Sequence, residues 1–130
     1  MIVSIFAAIL ALIYLQLSIY VVKVRTKERQ SIGAGQSELL ERAIRAHSNF
    51  IEYVPFALIL LFLNEYQGLA SHYSYILGAI LVLGRLLHAS NISQLNEKIK
   101  LRVFSMMLTL SVILISAVLL LLDATIGIYV

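Results

Sequence analysis

The sequence predicts an all-α protein, a transmembrane four-helix bundle running up-down-up-down, on three observations. Hydrophobic residues make up 61% of the 130 and charged residues only 13%. With a mean hydropathy of +0.94, too little polar surface is left for a soluble domain of this length. Four apolar runs each approach the ~20 residues that cross about 30 Å of hydrocarbon, and short polar stretches separate them. All ten Lys and Arg residues gather around the first and third connections, the pattern of a chain that crosses four times. One membrane domain over residues 1–130 accommodates the whole pattern.

The first run, about residues 2–22, carries no charge. A signal peptide would have a positive segment ahead of a shorter apolar stretch, whereas here the basic cluster follows a long one, so it reads as a retained helix. "SIGAGQ" then makes a turn in which Gly33 and Gly35 supply backbone angles other residues avoid. The second run, about 38–64, opens with "SELLE", where Ser37 is the expected N-cap and the glutamates suit the positive end of the helix dipole. The third covers about 71–89 and the fourth about 101–122, ending at Asp123. Connections this short make sequential helices antiparallel neighbours.

Lys23, Arg25, Lys27, Arg29, Arg42 and Arg45 surround the first connection, and Arg85, Lys98, Lys100 and Arg102 the third, while "NEYQGLASHY" has no basic residue. By the positive-inside rule the first and third loops are cytoplasmic and both termini lie outside. A bacterial inner membrane is the expected location, since the compact chain shows no retrieval tail for the endoplasmic reticulum. The absence of cysteine removes disulfides, a Cys-based metal site and a thiol nucleophile of the protein's own, and no metal is expected. Basic residues beside apolar spans report topology, and no aromatic-and-basic motif points to nucleic acid.

The chemistry concentrates in "ERAIRAHSNFIEYVP", residues 41–55. At about 100° per residue, Arg42, Arg45, Asn49, Glu52 and Phe56 share one stripe, with Tyr53 at its edge and His47 on the opposite side. A charge central in a membrane helix costs ~2.5–3.5 kcal/mol on insertion scales, so Arg45 and Glu52 need partners. Polar groups on both sides of the helix imply neighbours all round, among them a second copy of the chain. An ordinary structural reading stands beside this one: Arg45 and Glu52 linked through Asn49, Arg42 snorkelling to headgroups, His47 an interface residue. Pro55 is expected to kink the helix and free a carbonyl. "GRLLH" places Arg85 and His88 one turn apart at the same end, alone no more than a snorkelling arginine beside an interfacial histidine. Together the two clusters offer guanidinium groups for carboxylates, a carboxylate for an amine, and neutral Asn and Tyr, the complement of a small zwitterionic peptide.

"RAIRAHSNFIEYVP" resembles the second-helix signature of the MAPEG family, the membrane-associated proteins in eicosanoid and glutathione metabolism. "VKVRTKERQSIGAGQ", "GRLLHAS" and "LRVFSMMLT" extend the resemblance over nearly the whole chain, and the spelling is most similar to bacterial members. The resemblance implies a homotrimer with glutathione bound between protomers near the cytoplasmic face, and a hydrophobic electrophile or lipid hydroperoxide entering from the membrane. It assigns glutathione contacts to Arg45, Asn49, Glu52 and Tyr53, to His47 from the other protomer, to Arg25, and to Arg85 and His88. Arg102 is the nearest match to the arginine that activates the thiol, although "NISQLNEKIK" aligns only with a gap. Ile92 departs from a tyrosine that some relatives use against the ligand.

These residues imply a glutathione transferase, with hydroperoxide reduction as a second outlet. A free thiol near pKa 8.5 is mostly protonated at neutral pH, and a nearby guanidinium favours the reactive thiolate. Two alternatives stand: a ligand-binding membrane protein without the chemistry, and a small proton-coupled exporter built on Glu52.

Overall fold

Each apolar run becomes one helix: α1 (Val3–Glu28), α2 (Glu38–Gln67), α3 (Ser71–Ile92) and α4 (Ile99–Ile126). All four are long and apolar enough to cross a membrane. The structure is a computed structural model describing residues 1–129. Val130, the last residue of the expected domain, lies outside the described residues.

The helices run past the expected span limits. The largest difference is in α1, which continues through Lys23, Arg25 and Lys27 instead of stopping near residue 22. Cations in the last turns face the negative end of the helix dipole, so the basic segment extends the helix. Arg29 closes it in a left-handed conformation (φ 52°), its N–H meeting the carbonyls of Arg25 and Thr26. Ser37 caps α2 as the sequence predicts, its hydroxyl accepting the Leu40 N–H at 3.2 Å. Gly33 and Gly35 have positive φ, 67° and 57°. α2 is unbroken through Pro55, although a proline there has no N–H to offer the Ile51 carbonyl.

The two middle helices form the centre of the bundle. α1 packs on α2 and α3, α4 packs on α3 and α2, and α1 and α4 do not meet. Val3, Leu10, Ile13 and Leu17 follow one another at helical spacing and are buried with Phe50, Val54, Ala57 and Leu61 of α2 and Leu77 and Leu81 of α3. Leu12, Leu15, Leu114 and Leu121 face outward, as suits helices whose surroundings are lipid or another membrane protein.

The seam between α3 and α4 is built from small residues. Ser105, Thr109, Val112 and Ser116 are wholly buried along one face of α4. A Cβ at Gly84 would sit 3.1 Å from both Leu108 Cβ and the Ser105 carbonyl oxygen, so glycine sets how closely the two helices approach. Gly84→Leu is expected to force the helices apart and cost about 3 kcal/mol, while Gly84→Ala costs about 1. Thermal unfolding in detergent checks this, and equal midpoints for Gly84→Leu and the unmodified protein would refute it.

The two ends of the bundle differ. The end carrying the second connection is tied by neutral and acidic groups: the Glu65 carboxylate accepts the N–H groups of Ile2 and Val3, the latter at 2.8 Å. This caps α1 from another helix. Asn64, fully buried, donates to the carbonyls of Leu60 (2.8 Å) and Ser116 (2.9 Å). Its amide oxygen accepts the Tyr129 hydroxyl at 2.6 Å, and Asp123 accepts the Tyr129 N–H at 3.0 Å. The basic residues occupy the other end, where α1 and α3 finish and α2 and α4 begin.

Candidate functional site

At the basic end, α2 presents its polar residues in three directions. Asn49 turns inward to α3, where its side-chain oxygen accepts from Arg85 Nη1 at 2.9 Å. Arg85 is 1% exposed, so it does not snorkel; Gly84 beside it draws α4 close, and the guanidinium is enclosed by α2, α3 and α4. Its Nη2 lies 3.5 Å from Met106 Sδ, its Cζ 5.8 Å from the Tyr53 ring centroid, and its Nε has no partner. Among the described residues no carboxylate pairs with it. One turn on, His88 Nδ1 is 3.3 Å from Ser105 Oγ. That hydroxyl donates its proton to the Arg102 carbonyl at 2.9 Å, so His88 Nδ1 is the donor and the buried Nε2 is left unpartnered.

The second direction opens on a surface cleft of about 430 Å³ lined by Arg45, Arg102 and Ile92 with Glu38, Glu41, Arg42 and Glu97. Three guanidinium groups and three carboxylates meet there. Arg42 pairs with Glu38 at 2.9 Å and with Glu97 at 3.5 Å, and Glu97 also holds Arg102 at 3.3 Å. Arg45 and Arg102 are thus gathered at one cleft although they come from α2 and α4. Ile92 forms part of its wall.

The remaining residues lie apart. Glu52 is exposed on the outer face of α2 and, among the described residues, has neither a hydrogen bond nor an ion pair. His47 faces the opposite side, as its helical phase predicts, with its ring centroid 5.0 Å from that of Tyr14 on α1. The neighbour required on that side is therefore the chain's own first helix; the Glu52 side is the one without a cover. Arg25 donates to the Gly33 carbonyl at 2.8 Å and lines a separate depression with Arg29 and Gln30. Within the protomer it holds the first loop and is not brought to the cleft of Arg45 and Arg102.

Glu97, Ser105, Met106 and Tyr14 touch the candidate residues and were not singled out by the sequence. For Glu97 there is a signal: it is an acidic residue in a connection otherwise basic, between Arg85 and Lys98. Ser105, Met106 and Tyr14 carry none, because each meets its partner across more than 15 intervening residues and reads as ordinary apolar-helix composition. An apolar notch of about 250 Å³ between α1 and α2, lined by Leu10, Tyr14, Val54 and Pro55 among others, adjoins the His47 side.

Comparison with known proteins bears on the same segments. The MAPEG family matches residues 3–122, which takes in α1, α2, α3 and most of α4. Inner membrane protein YecN of Escherichia coli (strain K12) is 35% identical over 88 residues, 68% of this chain and 67% of that protein. The protein of the same name from Escherichia coli O6:H1 gives the same figures. With four membrane-length helices in the order the family match requires, this four-span membrane protein belongs to the MAPEG family.

Proposed function

We propose that the protein is a multi-pass inner-membrane glutathione transferase that binds glutathione between the protomers of a homotrimer and joins it to a hydrophobic electrophile. The observation that carries the reading is that Arg45, at the cleft, and Glu52, on the outer face of α2, are both exposed in the protomer. A membrane helix does not leave two opposite charges uncovered toward lipid, so a second protomer and a charged guest are their natural partners. In this reading Arg45 takes a carboxylate of the peptide, Glu52 its amine, and Asn49 and Tyr53, with His47 of the neighbouring protomer, supply neutral hydrogen bonds. Arg85 and His88 support Asn49 and Ser105 from behind. The basic end faces the cytoplasm and both termini face outward, as the positive-inside rule directs. Apolar substrates, electrophiles or lipid hydroperoxides, reach the thiol from the membrane through notches such as the one beside Pro55.

Arg102 supplies the chemistry in this scheme by favouring the glutathione thiolate electrostatically. Purified protein is expected to conjugate an electrophilic arene with glutathione and to show thiolate absorbance when glutathione is added. Arg102→Ala is expected to lower the rate about 100-fold, the scale of removing one electrostatic stabiliser from a reacting centre. An unmodified protein with neither turnover nor thiolate absorbance would end the transferase reading.

A second reading, a glutathione-binding membrane protein without turnover, is favoured by one contact: Glu97 sits on Arg102 at 3.3 Å and screens the charge that activation needs. Binding of glutathione that persists in Arg102→Ala, with no turnover in either protein, selects it.

A further inference from the structure

We propose that Glu97 is a positioning residue that meters Arg102, holding its guanidinium against the α2 side of the cleft and screening its charge in the free and the ligand-bound protein alike. The inference rests on the transferase reading for its consequence, and on the geometry of the third connection for its mechanism.

Among the described residues Glu97 alone is ion-paired with both Arg42 of α2, at 3.5 Å, and Arg102 of α4, at 3.3 Å. Its side chain is 18% exposed against 49% for Arg102, so the carboxylate is the more fixed partner and the arginine the mobile one. A carboxylate carried on a floppy loop would not act in this way, but this loop is clamped. Asn91, almost fully buried, donates its side-chain amide to the Lys98 carbonyl at 3.1 Å and accepts the Lys98 N–H at 3.0 Å. That reciprocal pair anchors the backbone next to Glu97, in the manner of a side chain replacing a turn's own hydrogen bonds. Arg42 is in turn held by Glu38 at 2.9 Å. Glu97 therefore faces two cations with its backbone fixed, while among the described residues the Arg102 side chain has hydrogen bonds and an ion pair to Glu97 alone.

An anion entering the cleft meets three arginines and three carboxylates. The Arg102–Glu97 pair is long and half solvated, so it screens the guanidinium without withdrawing it from an incoming ligand. The field of Arg102 on a nearby thiol is reduced by the Glu97 carboxylate that stays beside it. Removing the Glu97 charge leaves Arg102 unscreened and stabilises the thiolate further.

The test uses the full chain in detergent and two readouts. The first is modification of Arg102 by phenylglyoxal, followed by mass spectrometry, which needs no glutathione. Glu97→Gln is expected to speed it about two- to fivefold, the scale of losing one partly exposed ion pair, and Asn91→Ala to speed it partway by freeing the loop. The second is the pH dependence of thiolate absorbance with glutathione bound: Glu97→Gln is expected to move it to lower pH, and the shift is expected to vanish when Arg102→Ala is added. An unchanged modification rate in Glu97→Gln overturns the proposal, as does a thiolate shift that survives Arg102→Ala. If the unmodified protein shows no thiolate at all, the transferase reading fails while the modification rates still decide whether Glu97 restrains Arg102.

Discussion

Glu52→Ala is expected to weaken glutathione binding by roughly 30- to 5,000-fold, the largest single effect of any substitution in the protein. Truncating one member of a desolvated, hydrogen-bonded charge pair costs about 2–5 kcal/mol, most of it from the partner charge left behind. Glu52 is suited to such a role because none of the described residues of its own protomer pairs with it, whereas Arg42 and Arg102 already have carboxylates. Glu52→Gln keeps the shape and hydrogen-bonding capacity and loses the charge, so it is expected to fall between Ala and the unmodified protein. Isothermal titration with glutathione in detergent measures both. Thermal unfolding of the ligand-free protein is expected to change little, since an exposed carboxylate contributes little to the folded protomer. A Glu52→Ala protein that binds as the unmodified one does would remove the carboxylate from the site.

Asn49→Leu is expected to do the opposite, lowering stability by about 2–3 kcal/mol even without ligand. It deletes the hydrogen bond to a guanidinium that is 1% exposed, and hydrogen bonds to charged groups contribute about 1.5–3 kcal/mol. The Arg85 Nε is already without a partner, so losing Asn49 leaves the cation with only Met106 and the Tyr53 ring. Adding Arg85→Met to Asn49→Leu is expected to restore most of the loss, because an apolar pair of similar volume replaces a buried charge and its acceptor at little or no cost. The unfolding midpoints of the two single variants and the double form a cycle that isolates the pair. Equal destabilisation in the single and double variants would show that Arg85 is held by something other than Asn49.

The contrast between Glu52 and Asn49 shows where the sequence was informative. Helical phase placed Arg45, Asn49 and Glu52 on one stripe and His47 opposite it, and His47 does pack against Tyr14, its ring tilted, away from Glu52. The stripe is wide, however, and the interior begins partway across it: Asn49 lies on the inner edge, Glu52 on the outer. Only the position of α3, 36 residues away in sequence at Arg85, decides where that edge falls. The four spans were legible because a charge-free apolar run has few alternatives to a membrane helix. The cap at Ser37 was legible because capping is local. The end of α1 was not, because hydropathy falls at the membrane surface while helix propensity does not, and Lys23, Arg25 and Lys27 are good helix formers beyond it. The pairing of Glu97 with Arg42 joins the third connection to a helix more than 50 residues earlier, a separation no local pattern encodes.

The bonds from Glu65 to the start of α1, and from Asn64 to Ser116 and Tyr129, join all but one of the helices at the end remote from the arginines. Such a bundle behaves like a set of tines fixed in a common handle. Displacement of one helix against another grows with distance from the knot, so the basic end can yield to a guest by small rotations that leave the buried amide network intact. Ordering lost at one end need not propagate to the other, and hydrogen exchange should be slowest near Asn64 and faster toward the basic end.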